Sequence, residues 1–121
     1  MRILVVDDSP TTRHLLTAIL QRQGHQCSEA KDGLDALHRL AIESRPDVVL
    51  IDWHMPGMSG PELLHFLRNH PEYHDLRLVI VTRETDLSKI NEALAAGADE
   101  YIMKPFTPEV IEEKLQLLEW Q

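Results

Sequence analysis

The chain has 121 residues, 43% of them hydrophobic and 26% charged, which suits one globular domain with a sizeable core spanning residues 1–121. Its net charge of −8 argues against nonspecific nucleic-acid binding, because phosphate contacts need a basic face. No apolar run approaches the ~20 residues of a membrane helix, and the lone cysteine, Cys27, excludes an internal disulfide framework, fits a reducing cytosol and reads as a packing residue.

Arg2-Ile3-Leu4-Val5-Val6 reads as a first buried strand, closed by Asp7-Asp8. Met1-Arg2 leads straight into it, which is not a signal-peptide pattern. Ser9-Pro10 then opens a helix, Ser as N-cap and Pro in the first turn, with Leu15, Leu16, Ile19 and Leu20 at helical spacing and Gly24 as its stop. Gln26–Ala30 is a short, rather polar second strand, and Asp32-Gly33 a turn signal. The next helix carries Leu34, Leu37, Leu40 and Ala41 on one face and ends before Pro46. Val48-Val49-Leu50-Ile51-Asp52 follows, an apolar run without polar alternation that marks a strand buried on both faces. Trp53 to Gly60 is a Pro/Gly-punctuated loop.

Ser59-Gly60-Pro61-Glu62 has capping-box spacing and starts a helix bearing Leu63, Leu64, Phe66 and Leu67. Asn69 to Asp75 is a polar loop, and Leu78-Val79-Ile80-Val81 a fourth strand that ends at Thr82. Asp86 is placed to cap a helix with Leu87, Ile90 and Leu94 inward and Gly97 at its end. Glu100 to Met103 is the last strand, followed by Lys104-Pro105-Phe106. Thr107-Pro108-Glu109 opens a final helix with Val110, Ile111, Leu115 and Leu118. Strand and helix therefore alternate five times, the pattern of an α/β fold with a parallel sheet covered on both faces.

In such a sheet the strand ends share one rim, where open α/β sheets bind ligands. Asp7, Asp8, Asp52, Thr82 and Lys104 all fall there. Three carboxylates repel one another unless a cation neutralises them. Hard oxygen ligands of this kind suit Mg²⁺, with Mn²⁺ as a substitute. A lysine and a hydroxyl on the same rim would bind phosphoryl oxygens, so the set reads as a phosphoryl-transfer site.

Asp7-Asp8, Asp52-Trp53-His54-Met55-Pro56-Gly57-Met58-Ser59-Gly60, Val81-Thr82 and Lys104-Pro105-Phe106 together resemble the response-regulator receiver domains, over the full length and most like the single-domain chemotaxis type. The resemblance implies a flavodoxin-like (βα)5 sheet of order 2-1-3-4-5, an order known for that family and not deduced from the pattern. It implies that Asp52 accepts a phosphoryl group from the phosphohistidine of a sensor histidine kinase or a His-phosphotransfer protein. Asp7, Asp8 and Asp52 would bind Mg²⁺ with the backbone carbonyl of His54, Thr82 would hydrogen-bond the phosphoryl group, and Lys104 would ion-pair with it. Lys104-Pro105 matches a peptide bond that is cis in the family, and Tyr101 matches an aromatic switch that turns inward as Thr82 moves. The output would pass to a downstream target or a fused output domain through the face built from the last two helices and the last strand. A cytoplasmic signalling switch that acts neither on nucleic acid nor on membrane, and not as an enzyme beyond its own phosphorylation and slow dephosphorylation, is what this implies.

Arg83 departs from the small residue usual after the threonine: it either restricts access to the phosphate or lies across the surface paired with a carboxylate. His54 and Glu84 occupy positions that tune how fast the acyl phosphate hydrolyses. His70 and His74 have i, i+4 spacing, but a zinc site needs three or four convergent ligands, so they read as solvated. Trp53 and Trp120 read as packing or partly exposed residues. A haloacid-dehalogenase-like phosphatase is an alternative, but it wants Asp-x-Asp where Asp7 is followed two residues on by Ser9. A flavodoxin-like carrier would have Asp7-Asp8 repelling a flavin phosphate. A receiver-like scaffold that is not phosphorylated is the remaining alternative. The chain ends at Gln121 without an output segment, which fits a stand-alone module or a piece of a longer regulator.

Overall fold

The computed structural model describes residues 1–83, 85 and 87–119. Among them, strand and helix alternate as β1 (Arg2–Val6), α1 (Pro10–Arg22), β2 (Gln26–Ala30), α2 (Gly33–Ile42), β3 (Val48–Asp52), α3 (Gly60–Arg68), β4 (Arg77–Thr82), α4 (Leu87–Ala95), β5 (Glu100–Met103) and α5 (Pro108–Glu119). The strands are all parallel in the order β2-β1-β3-β4-β5, as the family resemblance implied.

Successive side chains of a strand point to opposite faces, and here both faces are covered. Leu4, Val6, Val49, Ile51, Leu78 and Ile80 pack with α2, α3 and α4, through Ala36, Leu40, Leu63, Leu64, Leu67 and Ala93. Ile3, Val5, Val48, Leu50, Val79, Val81 and Ile102 pack with α1 and α5, through Leu16, Leu20, Ile111, Leu115 and Leu118. Double burial explains why the three central strands show no polar alternation. Cys27 is half-buried at the margin of the second cluster, and Trp53 at that of the first.

The helix starts follow local chemistry. Ser9 accepts the Thr12 N–H ahead of α1, and Ser59 and Glu62 close a capping box on α3. Asp32, expected from sequence within a turn, is the N-cap of α2 and accepts the Asp35 N–H at 2.7 Å. Thr107 Oγ1 accepts the Val110 N–H at the start of α5. The expected cap of α4 at Asp86, like Trp120, lies outside the described residues. Gly24 follows α1 at φ +92°, a backbone region that disfavours a side chain.

Five side chains expected inward are turned out: Leu15, Leu34, Phe66 and Leu87 are exposed, as is Ala41. On α2 the buried stripe is Gly33, Ala36 and Leu40, one position off the expected Leu34 and Ala41. On α3 it is Gly60, Leu63, Leu64 and Leu67, which leaves Phe66 beside it. Helical spacing located these helices, but their apolar residues span more of the circumference than the sheet covers.

Candidate functional site

The parallel register brings the C-terminal ends of β1, β3, β4 and β5 to one rim. The ladder between β1 and β2 runs one residue past the strand, with the Asp7 N–H donating to Ala30 O at 3.1 Å. Asp7 is thereby fixed and only 1% exposed. Its Oδ1 accepts the Ser9 N–H at 2.9 Å and its Oδ2 accepts Lys104 Nζ at 3.2 Å. Asp52, the last residue of β3, stands opposite Val81 and is 5% exposed. Its Oδ1 accepts the same ammonium at 3.1 Å. Lys104 reaches both because its own N–H donates to Thr82 O at 2.8 Å, which extends the β4–β5 ladder past Met103. The Lys104-Pro105 peptide is cis. Asp8 is the exposed member of the group.

Carboxylate oxygens of Asp7, Asp8 and Asp52 lie within 4.8 Å of one another. Lys104 is the ammonium that faces them, so negative charge is left over. The consequence falls on Asp52, whose carboxyl is pushed up to about 6 from 3.8. Burial is the first cause and the neighbouring Asp7 charge the second; Lys104 pulls the other way, and a hydrogen bond with Asp8 adds to the rise. A divalent cation seated among the three oxygens relieves this repulsion. Clustered hard oxygens, with Asp8 open to solvent, fit Mg²⁺, which keeps several waters and needs only one or two carboxylates.

The loop behind Asp52 is drawn tight. The Trp53 N–H donates to Val81 O at 3.0 Å and the Gly60 N–H to Trp53 O at 3.2 Å. A Cβ at Gly60 would stand 2.7 Å from Asp52 O and 2.7 Å from Trp53 Cα, so only glycine allows α3 to begin this close to the strand end. Around the carboxylates the pocket wall is completed by Ser9, Thr12, His54 and Arg83.

The sequence model of the response regulator receiver domain matches residues 3–116 of the chain. The chain belongs to that family. This receiver domain is 41% identical over 117 residues to a chemotaxis protein CheY homolog of Campylobacter jejuni, covering 96% of this chain and 90% of that one. It is 36% identical to the chemotaxis protein CheY1 of Helicobacter pylori, over 98% of this chain and 96% of its relative. Among solved structures, the chemotaxis response regulator CheY4 of Vibrio cholerae superposes with a TM-score of 0.88 at 35% identity, covering 97% of each chain. The likeness extends to longer regulators: the phosphate regulon transcriptional regulatory protein PhoB of Pseudomonas aeruginosa is 33% identical over 94% of this chain but only 49% of its own length.

Within the receiver domain, the strand faces sort the remaining residues. Asp7, Asp52 and Lys104 continue the alternation that points toward α1 and α5. Thr82 and Tyr101 continue the opposite one. Thr82, 2% exposed, meets Tyr101 in a narrow cleft under α4, with Trp53, Ile80, Ile90 and Leu94 on its walls. The carboxylate pocket is not lined by Thr82, although the sequence grouped it with Lys104 and Asp52. Tyr101 is half-buried, with Lys114 Nζ 4.1 Å above its ring and bonded to Glu100 Oε1 at 3.1 Å.

His54 and Arg83 are both exposed at the mouth of the pocket. Arg83 lines the carboxylate pocket and the neighbouring hollow beside Pro105 and Phe106, and no ion pair of it with a carboxylate is formed among the described residues. Glu84 lies outside the described residues. His70 stacks on Tyr73 at 4.8 Å between centroids and its Nδ1 accepts the Glu72 N–H, with no His–His metal cluster among the described residues. Two contributors escape the sequence. Ser9 reads there only as a helix cap, yet its backbone N–H holds Asp7, a turn that Asp-x-Ser spacing encodes. Gly60 reads in the sequence as part of a capping box and of the motif after Asp52, with no sign that it packs against the strand end.

Proposed function

We propose that this receiver domain is a phosphoacceptor switch of a two-component phosphorelay, with Asp52 as the residue modified. The observation that carries the reading is a buried carboxylate held by one lysine inside a three-carboxylate cluster, with an open approach from solvent. An Asp52 oxygen attacks the phosphorus of a phosphohistidine; the O–P bond forms as the P–N bond breaks, and the imidazole leaves as a neutral ring after taking a proton. Asp7, Asp8 and Asp52, with the His54 carbonyl, would hold Mg²⁺, which would supply positive charge for the phosphoryl oxygens and for the ionised form of Asp52. Lys104 exchanges part of its contact with Asp52 for a phosphoryl oxygen. His54 and Arg83 at the pocket mouth, with Glu84, set how readily water reaches the acyl phosphate.

Modification converts a single negative charge on Asp52 to about two and adds acceptor oxygens. Thr82, at the end of β4, turns toward those acceptors, and Tyr101 takes the space it leaves. The face of α4, β5 and α5 is biased between two arrangements, and a partner that prefers one of them reads the signal. A sensor histidine kinase or His-phosphotransfer protein is the donor, and a chemotaxis-type target or a fused output domain the receiver of the signal, in the cytoplasm. Incubation with acetyl phosphate and Mg²⁺, followed by intact mass, tests this: wild type gains one phosphoryl group and Asp52→Asn gains none. An equal gain in both proteins, or no gain in either, would overturn it.

A further inference from the structure

Arg13, on the second turn of α1, takes no part in the chemistry above, yet its guanidinium is committed to the end of β1. Its side chain is 15% exposed. Nε donates to Glu29 Oε1 at 2.8 Å and one terminal nitrogen donates to the backbone carbonyl of Asp7 at 2.8 Å. That carbonyl belongs to the peptide joining Asp7 to Asp8. Glu29 is the penultimate residue of β2 and stands opposite Val5, so the planar guanidinium ties α1 to two neighbouring strand ends at once. The Thr17 hydroxyl donates to the Arg13 carbonyl at 2.8 Å, and His14 Nε2 approaches the same Glu29 oxygen at 3.6 Å.

The metal cluster needs such a brace. Asp7 is held at its amide and at both carboxylate oxygens. Asp8 is exposed and has no basic partner among the described residues; its hydrogen bond with Asp52 needs a proton that a bound cation would displace, so in the metal-binding state its placement depends on the peptide that carries it. Repulsion from Asp7 and Asp52 would otherwise swing it outward. We infer that Arg13, oriented by Glu29, is a positioning residue for the metal-binding acidic pair: it fixes the Asp7-Asp8 peptide so that the Asp8 carboxylate stays within reach of a shared cation. The inference rests on the phosphoacceptor reading and names a part of the site outside the carboxylates themselves. Groups that orient metal ligands from behind typically contribute about 10–100-fold in metal affinity.

Electrostatics and positioning predict opposite signs, which makes the test sharp. Removing a cation near three carboxylates should tighten cation binding if charge alone matters; removing a brace should weaken it. The 121-residue wild type, Arg13→Gln, Arg13→Lys and Glu29→Gln are titrated with Mn²⁺ by electron paramagnetic resonance, with Mg²⁺ as competitor, and their thermal midpoints are read in chelator. The expected result is Arg13→Gln about tenfold weaker for Mn²⁺, Arg13→Lys intermediate because an ammonium spans only one of the two acceptors, and Glu29→Gln weaker as well. Equal or tighter binding by Arg13→Gln overturns the inference, as does a lowered midpoint with unchanged affinity. Should Arg13→Gln fail to fold, Arg13→Lys decides in its place: affinity equal to wild type refutes the brace. If wild type itself binds neither cation, the phosphoacceptor reading fails, and that outcome is distinct from wild type and variants binding alike.

Discussion

Replacing Asp52 by asparagine should stabilise the metal-free receiver at neutral pH, and the gain should vanish in acid. In the fold the Asp52 carboxyl titrates at about 6, against 3.8 for an unperturbed aspartate. Between those values the folded protein keeps a proton that the unfolded chain has lost. The stability that protonated Asp52 contributes is therefore complete below about pH 4 and is lost as pH rises through about 6. Two pKa units at about 1.4 kcal/mol each put the loss at about 3 kcal/mol. An asparagine at this position does not titrate, so the variant should gain on wild type by up to that amount between about pH 4 and pH 7.5. The weaker hydrogen bond from Lys104 to an amide makes this an upper bound. Urea unfolding of both proteins in chelator across that range measures it, since contributions from groups that do not touch Asp52 cancel in the difference. Mg²⁺ at about a hundredfold over its dissociation constant should return about 2.7 kcal/mol to wild type at the upper end of the range and shrink the gap. A difference that stays flat across the range, or that favours wild type more as pH rises, would refute the reasoning.

Lys104→Met leaves the buried Asp7 and Asp52 without their ammonium, and should cost about 3 kcal/mol in chelator, as breaking a buried ion pair does. Thermal scans should show Mg²⁺ restoring much of it, while labelling by acetyl phosphate stays slow; a loss untouched by Mg²⁺ would contradict the shared-charge picture. Gly60→Ala places a Cβ 2.7 Å from the Asp52 carbonyl oxygen, so the strand end must shift; about 1–3 kcal/mol of stability and much of the Asp52 labelling rate should go together. Unchanged labelling in a destabilised protein would separate the loop from the site. His54→Asn, altering an exposed side chain on the pocket wall, should change the decay of phosphorylated protein without changing its unfolding midpoint in urea, and a decay curve superposable on wild type would remove His54 from the lifetime.

The strands were legible because their residues meet protein on both sides, and a short β-branched run such as Val48 to Ile51, bounded by turn signals, suits a strand buried on both faces. The helix faces were less so. Leu34 and Leu87 are as apolar as the residues that pack, and only the position of the sheet decides which side is inward. Asp7, Asp8, Asp52 and Lys104 stood out because their types are rare at the ends of buried strands and recur there. Arg13 and Ser9 did not, because they act through backbone atoms, whose partners depend on how a turn folds. The reason for glycine at position 60 was hidden because a close approach leaves no chemical mark in a sequence.

Along β3 and β4 the side chains alternate faces, so Asp52 shares its face with Leu50 while Thr82 shares the other with Ile80. The sheet thus divides the rim: carboxylates and lysine stand on the side of α1 and α5, threonine and tyrosine on the side of α4. The proposed signal, starting as charge on Asp52 and ending as a change near Tyr101, has to pass from one face to the other. The end of β4 is where the two meet, since Val81 pairs with Asp52 while the next residue, Thr82, lines the Tyr101 cleft and lends its carbonyl to Lys104. Thr82 thus touches the carboxylate site through its backbone carbonyl and the Tyr101 cleft through its side chain. In the proposed switch, rotation of the Thr82 side chain around the strand end, followed by Tyr101, carries the signal across the sheet.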